Sequence, residues 1–137
     1  RMKLLIASDI HGSAYWCSKL MDAYQNEKAD RMILLGDILY HGPRNALPKE
    51  YDPQRVCDLL NQISDRILCV RGNCDADVDQ WLIHFPIMAD HGKRSRDLSD
   101  TWSCVWKRFQ KRRKLSTASK ERCGAFRSYT YSNHRTD

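Results

Sequence analysis

Three short apolar runs recur along the N-terminal part of the chain, and a polar loop follows each of them directly. They cover residues 3–8, 31–35 and 66–70. Continuous apolar runs of this length, bounded by turn signals, are typical of strands that are buried on both faces. Helical patterns separate the runs, and strands that alternate with helices form parallel sheets. The sequence therefore predicts an α/β fold with a parallel sheet covered on both faces.

The segments between these runs carry helix signals. Ser13 is a suitable N-cap for a helix over residues 14–27, and Pro53 suits the first turn of a second helix. A third, short helix is expected from a cap at Asp75 through Trp81. The sequence thus predicts three successive βα units. The apolar stripe of the second helix consists of Val56, Leu59, Leu60 and Ile63.

Charge divides the chain near residue 90. Residues 1–90 hold 10 Lys and Arg against 13 Asp and Glu, a net charge of −3, whereas residues 91–137 hold 13 against 4, a net charge of +9. In the second segment Trp102, Trp106 and Phe109 have helical spacing, but the remainder is charged and rich in Ser and Thr, and no strand pattern continues the sheet. We expect a domain over residues 1–90 and a basic, poorly ordered tail over residues 91–137.

Composition excludes several classes of protein. The sequence has no apolar run long enough to span a membrane, and the first apolar run is too short for a signal peptide, so we expect a cytoplasmic protein. The cysteines lack the paired C-x-x-C spacing of a zinc site, and a site built from Cys104, Cys123 and His134 would also have poor spacing. We expect reduced thiols at all six cysteines, which are Cys17, Cys57, Cys69, Cys74, Cys104 and Cys123.

Residues with ligand chemistry follow the three predicted strands. Asp9 and His11 come after the first, Asp37 after the second and Asn73 after the third. Each alone has an ordinary alternative as a turn residue, or as a histidine bonded to a backbone carbonyl. Because the carboxyl ends of parallel strands share one edge of the sheet, we expect all four side chains there. Carboxylate, imidazole and amide groups suit first-row divalent ions such as Mn²⁺, Fe²⁺ or Zn²⁺.

The motifs around these residues resemble the D-x-H, G-D and G-N signatures of the calcineurin-like metallophosphoesterases. Here they read Asp9-Ile10-His11-Gly12, Gly36-Asp37 and Gly72-Asn73. The match is closer to the YfcE-type bacterial phosphodiesterases within that family, and it covers residues 2 to about 90. The longer stretches that carry this closer resemblance are residues 7–13, 35–48, 71–75, 78–80 and 84–87.

The resemblance implies a fold, an activity and a ligand set. The fold would be the N-terminal half of an α/β/β/α sandwich, and the activity a metal-dependent hydrolysis of small phosphodiesters. Two divalent metal ions, most often manganese, would act as cofactors. Asp9 and His11 would hold the first ion, Asp37 would bridge both and Asn73 would hold the second. Two ions sharing a bridging carboxylate lie roughly 3.5–4 Å apart.

No catalytic acid follows from the resemblance. Many members carry a histidine directly after the asparagine, which protonates the leaving group or orients the phosphate. This chain has Cys74 at that position, and a cysteine performs these roles poorly. Cys74, His41 and Arg44 are the remaining candidates for contacts near the phosphate. A loop ion pair for Arg44 and a surface position for His41 explain these two residues equally well.

The family's later histidine motifs do not occur in this sequence. Members of the family complete the metal site with a T-H-G-H-like segment and a G-H-T-H segment. In this sequence the only histidines after Asp90 are His91 and His134. The resemblance therefore implies that the chain as given is impaired or inactive, with the second metal weakly held. Strand edges without a covering second sheet would also invite self-association.

A shifted reading frame would explain the divergent tail. Residues 97–104 can be encoded so that a shift of one nucleotide gives Ile-Phe-Leu-Thr-His-Gly-His, and residues 126–131 shifted in the same direction can give Phe-Gly-His-Thr-His-Ile. We infer that the tail is the family's second half in another frame. Two alternatives stay open: an inactive remnant, and a protein that binds nucleic acid through the basic tail. The frame hypothesis argues against nucleic acid, because basic composition is then an accident of the frame.

Overall fold

The computed structural model describes residues 2–89 and 127–131. Its central sheet has the strand order β3-β2-β1-β4. The strands are β1 (Met2–Ala7), β2 (Arg31–Leu34), β3 (Ile67–Cys69) and β4 (Arg127–Tyr131). The first three are parallel, and β4 runs antiparallel to β1. The three predicted strands are confirmed, with each end within one residue of the predicted position.

The register of the parallel strands aligns their carboxyl ends. Ala7 of β1 pairs with Leu34 of β2, which in turn pairs with Cys69 of β3. The three polar loops therefore leave the sheet side by side. This alignment places the predicted ligands at one edge, as the sequence pattern requires.

Two helices connect the parallel strands. In α1 (Ala14–Asn26) the Ser13 hydroxyl accepts a hydrogen bond from the backbone N–H of Trp16 at 3.3 Å, as predicted for an N-cap. The second helix, α2 (Pro53–Asn61), begins with Pro53 in its first turn and is capped by Asp52. Both helices pack on the same face of the sheet, because two right-handed crossovers that move in the same direction along a sheet put their helices on one side.

Both faces of the sheet are buried, as the continuous apolar runs predict. On the helix face, alternate strand residues such as Leu5 and Met32 pack against α1 and α2 and are at most 1% exposed. The opposite face forms a second apolar cluster made of sheet residues and the residues that directly follow them. Its buried members are Leu4, Ile6, Ile33, Leu35 and Val70.

Two sequence predictions are wrong. The tail does continue the sheet, because β4 pairs with β1 from Met2–Tyr131 to Ile6–Arg127, which covers one edge that we expected to be open. The Arg-Ser-Tyr-Thr-Tyr stretch has the β propensity of Tyr and Thr, but no local pattern shows that it pairs across so long a separation. Asp75 does not cap the short helix, which is a 3₁₀ helix over Asp77–Trp81 that begins after Ala76.

Other features of the tail lie outside the described residues. They include the aromatic spacing at residues 102–109, the frame hypothesis at residues 97–104, and a zinc site at Cys104, Cys123 and His134. Of the six cysteines, the four within residues 2–89 are free thiols, as predicted. No helix in the described ranges is both long and apolar enough to cross a membrane.

Candidate metal centre

The first two strand-end loops continue the sheet as a backbone ladder. The N–H groups of Asp9, His11 and Gly12 donate to the carbonyl oxygens of Gly36, Asp37 and Ile38 at 3.2, 2.9 and 2.8 Å, respectively. These hydrogen bonds fix the two loops against each other beyond the end of β1 and β2. The Asp9 and His11 side chains are thereby placed beside Asp37.

Three of the predicted ligands converge at this edge. The His11 Nε2 atom lies 3.4 Å from Asp9 Oδ1 and 3.9 Å from Asp37 Oδ2. Cys74 joins them from the loop after β3, and the candidate ligand atoms of His11, Asp37 and Cys74 all lie within 4.8 Å of one another. The structure thus brings residues from all three strand ends into one small group.

The imidazole of His11 has a fixed orientation. Its Nδ1 atom lies 2.7 Å from the carbonyl oxygen of Tyr40, a partner that can only accept a hydrogen bond. In the neutral ring Nδ1 therefore carries the proton, and Nε2 presents its lone pair to the carboxylates. Metal-binding histidines usually have such a partner on the second nitrogen. Asp9 is oriented in a similar way, because the Ser8 hydroxyl donates to its Oδ2 at 2.5 Å and its Oδ1 faces His11.

The backbone at these positions has an uncommon conformation. Asp9, His11 and Asp37 have φ values of 61°, 50° and 56°, in the left-handed region that residues other than glycine rarely adopt. Each such residue costs about 1–3 kcal/mol, and such residues cluster at functional sites. Two other residues, Lys28 and Glu50, share this conformation away from the group. Three strained residues within one ligand group nevertheless indicate that function selects this geometry.

Two glycines allow the second and third loops to touch. A Cβ atom on Gly36 would lie 2.1 Å from the backbone nitrogen of Gly72, and one on Gly72 would lie 2.2 Å from Asp37 Oδ1. Any side chain at either position would push the loops apart. Glycine in the G-D and G-N motifs is therefore required by the close approach of the backbone at the site.

The charges at the site fit a divalent cation. Asp37 is buried, and burial raises the pKa of its carboxyl group, with further raising by the Asp9 and Asp75 carboxylates. The Cys74 N–H donates to Asp37 Oδ1 at 2.7 Å and, together with His11, lowers that pKa. Within residues 2–89 no lysine or arginine forms an ion pair with Asp9 or Asp37. The donor set therefore contains carboxylate oxygens and an imidazole nitrogen without a protein counter-charge, which is the composition of a site for a first-row divalent ion.

The remaining candidates occupy different positions. Asn73 is exposed, and its Nδ2 donates to the Cys74 sulfur at 3.2 Å, so it lies beside the group. Arg44 is exposed and has no ion pair within the described ranges, which disfavours the loop ion pair. The His41 ring is not a free surface group, because it packs edge-on against Tyr40 and Tyr51 at centroid distances of 4.9 and 5.2 Å.

The surroundings of Cys74 favour its neutral thiol form. Its pKa is raised by burial first and by the carboxylates of Asp37, Asp75 and Asp9 in that order. A neutral thiol is a weak hydrogen-bond donor, which agrees with the inference that it replaces a histidine poorly. The backbone carbonyl considered as a partner of His11 is that of Tyr40. Asp75 is absent from the predicted site. The signal for Asp75 in the sequence is its position two residues after Asn73 of the G-N motif.

Comparisons with known proteins show what this chain is similar to. The family profile described as calcineurin-like phosphoesterase matches residues 2–133 and so extends past residue 90. The phosphodiesterases YfcE from Escherichia coli K12, from strain O6:H1 and from O157:H7 are each 49% identical over 88 residues, which is 64% of this chain and 48% of each relative. A solved structure of YfcE, a phosphoesterase from E. coli, superimposes with a TM-score of 0.64 at 49% identity, over 64% of this chain and 48% of that chain. The chain spans about half the length of the curated relatives that it matches.

Proposed function

This chain belongs to the calcineurin-like phosphoesterase family, and on that premise we propose that its strand-end site is one half of a dinuclear metal centre for phosphodiester hydrolysis. The observation that carries the proposal is the approach of His11 Nε2 to the carboxylates of Asp9 and Asp37, at 3.4 and 3.9 Å. The relatives' name, phosphodiesterase, indicates phosphodiester hydrolysis for those proteins, and we propose a small phosphodiester as the substrate of this chain.

Four residues would hold the ions. Asp9 and His11 would bind the first, Asp37 would bridge, and Asn73 would bind the second. We propose Mn²⁺ as the ion, since oxygen and imidazole donors suit it. Divalent ions at such a site neutralise charge on the phosphoryl oxygens and lower the pKa of water.

The other residues of the chain would position the metal ligands and orient the substrate. The Tyr40 carbonyl holds the proton of His11 on Nδ1 and leaves Nε2 free as a ligand. The backbone N–H of Cys74 fixes one oxygen of Asp37 and leaves the other facing His11. Arg44 is exposed on the loop after β2 and forms no ion pair with another residue of the range 2–89, and we propose that it contacts a phosphate oxygen through charge-assisted hydrogen bonds.

We expect the chain as given to have impaired activity. Within residues 2–89 the group contains a single imidazole, that of His11. The T-H-G-H and G-H-T-H segments that would supply the others are not in the sequence. With fewer ligands, each ion is bound more weakly. When fewer sites hold an ion, less of the charge on the phosphoryl oxygens of the substrate is neutralised. Full activity would require further ligands from the tail or from a second chain.

The test is hydrolysis of bis(p-nitrophenyl) phosphate by the purified chain, with and without Mn²⁺. We expect slow turnover that requires Mn²⁺ and is lost in Asp37→Asn, which removes the bridging carboxylate without changing its size. Asp22→Asn on the exposed face of α1 is the matched control and should retain the wild-type rate. Turnover that is unaffected by Asp37→Asn would contradict the site, and robust turnover would contradict the impairment.

Two finer proposals accompany this function. We propose that residues 91–137 are the family's second half in a shifted frame, which sequencing of the encoding DNA tests directly. A sequence in which no single shift restores the histidine motifs at residues 97–104 and 126–131 would refute it. We also propose the cytoplasm as the location, supported by the four free thiols within residues 2–89. An inactive remnant and nucleic-acid binding remain alternatives, since most of the basic tail lies outside the described residues.

A further inference from the structure

The Asp75 carboxylate links two of the loops that carry ligands. It is only 4% exposed. Its Oδ2 accepts hydrogen bonds from the backbone N–H groups of Asp37 at 2.9 Å and Gly72 at 2.7 Å, and its Oδ1 accepts one from Ile38 at 2.9 Å. All three donors are backbone groups of the loops that follow β2 and β3. A single side chain thus satisfies two buried N–H groups and one partly buried N–H group that have no strand partner.

Backbone hydrogen bonds join the first and second loops, whereas the second and third loops are joined mainly by side chains such as Asp75. The first pair is joined by three backbone hydrogen bonds, from Asp9, His11 and Gly12. Between the second and third loops the last backbone hydrogen bond, from Val70 to Leu34, lies at the end of the strands. Beyond it, within the described ranges, side chains make the connection: the Asp75 carboxylate and the Asp37 oxygen that accepts from Cys74.

We propose that Asp75 is the positioning residue of the metal centre: its carboxylate sets the separation between the loop that carries Asp37 and the loop that carries Asn73 and Cys74. The proposal rests on the proposed function. Asp75 is not one of the three residues whose ligand atoms lie within 4.8 Å of one another, and both of its oxygens accept hydrogen bonds from backbone groups. It acts through the backbone of Asp37, whose left-handed conformation needs support from its surroundings.

The chemistry requires a carboxylate at this position. An ionised carboxylate has about four acceptor sites and no donor, so it can accept three N–H groups at once. An asparagine of the same shape has one acceptor oxygen and an NH₂ group that can only donate. If its oxygen faces Asp37 and Gly72, its NH₂ opposes the N–H of Ile38, and if it is reversed, two N–H groups are opposed. Asp75→Asn therefore breaks the link at almost constant volume.

Asp79 offers a matched control for this substitution. It is also a buried carboxylate, at 9% exposure, and lies four residues along the chain in the 3₁₀ helix. Its Oδ2 accepts a hydrogen bond from the backbone N–H of Ala76 at 2.9 Å, at the end of the loop after β3, whereas the N–H groups of Asp37, Ile38 and Gly72 donate to Asp75. Asp79→Asn makes the same chemical change to a buried carboxylate and leaves the link intact.

The experiment has one readout without metal and one with Mn²⁺, both on the full chain. Amide hydrogen exchange of the metal-free protein reports protection at Asp37, Ile38 and Gly72. Electron paramagnetic resonance of free Mn²⁺ gives the dissociation constant. For Asp75→Asn we expect at least roughly tenfold lower protection at those amides and roughly 10- to 100-fold weaker Mn²⁺ binding, the range found when partners of metal ligands are replaced. Asp79→Asn should change neither.

A second variant keeps the test decisive if Asp75→Asn does not fold. Asp75→Glu retains both acceptor oxygens on a side chain that is one methylene longer, and we expect its protection at Asp37 and Ile38 to lie between wild type and the asparagine variant. Wild-type protection in Asp75→Asn, or equal loss of Mn²⁺ affinity in Asp79→Asn, would overturn the proposal. If the wild-type chain binds no Mn²⁺, the proposed function fails instead, while hydrogen exchange still decides whether Asp75 links the loops.

Discussion

Replacing Gly72 with alanine would place a methyl group against the proposed bridging ligand. The new Cβ would lie 2.2 Å from Asp37 Oδ1 and 2.5 Å from the Asp37 backbone nitrogen. Since real Cβ contacts are essentially never shorter than 3.0 Å, the carboxylate must move by at least 0.8 Å. Asp37 is buried and tied to Cys74 and Asp75, so it cannot move without breaking those hydrogen bonds.

The size of the effect follows from this displacement. Overpacking a buried position costs about 1–3 kcal/mol of the free energy of unfolding. A displacement of about 1 Å in a group that positions the reaction can cost roughly 100-fold in rate. We therefore expect Gly72→Ala to lower Mn²⁺-dependent turnover of bis(p-nitrophenyl) phosphate by roughly two orders of magnitude, with a moderate loss of stability. Thermal unfolding measures the loss of stability, and the hydrolysis assay over a range of Mn²⁺ concentrations measures the loss of turnover.

Gly42→Ala is the control for stability loss alone. Gly42 has a φ of +85°, so alanine there is strained, but its Cβ would meet only the flexible Asn45 side chain closer than 3.0 Å. We expect a loss of about 1–2 kcal/mol from the backbone conformation, with Mn²⁺ affinity close to that of wild type. If Gly72→Ala retained both Mn²⁺ affinity and turnover, the close contact between Gly36 and Gly72 would not fix the position of Asp37.

Two further predictions concern stability away from the site. Ser13→Ala removes the N-cap of α1 and a hydrogen bond that the Ser13 hydroxyl donates to the Lys49 carbonyl at 2.6 Å, so we expect a loss of about 1–2 kcal/mol in denaturant unfolding with Mn²⁺ affinity unchanged. A change below roughly 0.3 kcal/mol would refute the role of the cap. Burial raises the pKa of the Cys17 thiol to about 12 and that of the Cys57 thiol to about 11, from an ordinary value of 9.0. Because the folded state holds these protons more tightly, their stabilising effect is complete below pH 9 and is lost as the pH rises towards 11 and 12, so the free energy of unfolding should fall over that window. Stability that stays constant from pH 9 to 11 in the native protein would contradict burial of these thiols.

The sequence predicts well those features that depend on neighbouring residues. The three parallel strands follow from continuous apolar runs, and the starts of α1 and α2 follow from Ser13 and Pro53. The convergence of Asp9, His11 and Asp37 follows from one topological rule, namely that parallel strands end at the same edge. None of these predictions requires knowledge of a contact between distant segments beyond the pairing of the strands.

The two wrong predictions concern features that depend on contacts between distant segments. The pairing of β4 with β1 joins segments more than a hundred residues apart, and the tail's composition gives no local sign of it. Asp75 next to a short helix has the local signature of an N-cap, since Asp is a common capping residue. Its carboxylate instead finds two amides 37 and 38 residues away and one three residues away, because the close packing of Gly36 on Gly72 brings those donors within reach.

Such long-range partners decide whether a ligand set becomes a working site. Motifs specify which side chains stand at the sheet edge, but metal binding needs their positions held to within about 0.5 Å. In this chain that precision comes from groups that the motifs do not identify as ligands: the Tyr40 carbonyl on His11, the Cys74 amide on Asp37 and the Asp75 carboxylate across two loops. A chain can therefore keep its ligand motifs and still lose metal affinity through Asp75 alone, and the comparison of Asp75→Asn with Asp79→Asn measures how much of the site depends on that one contact.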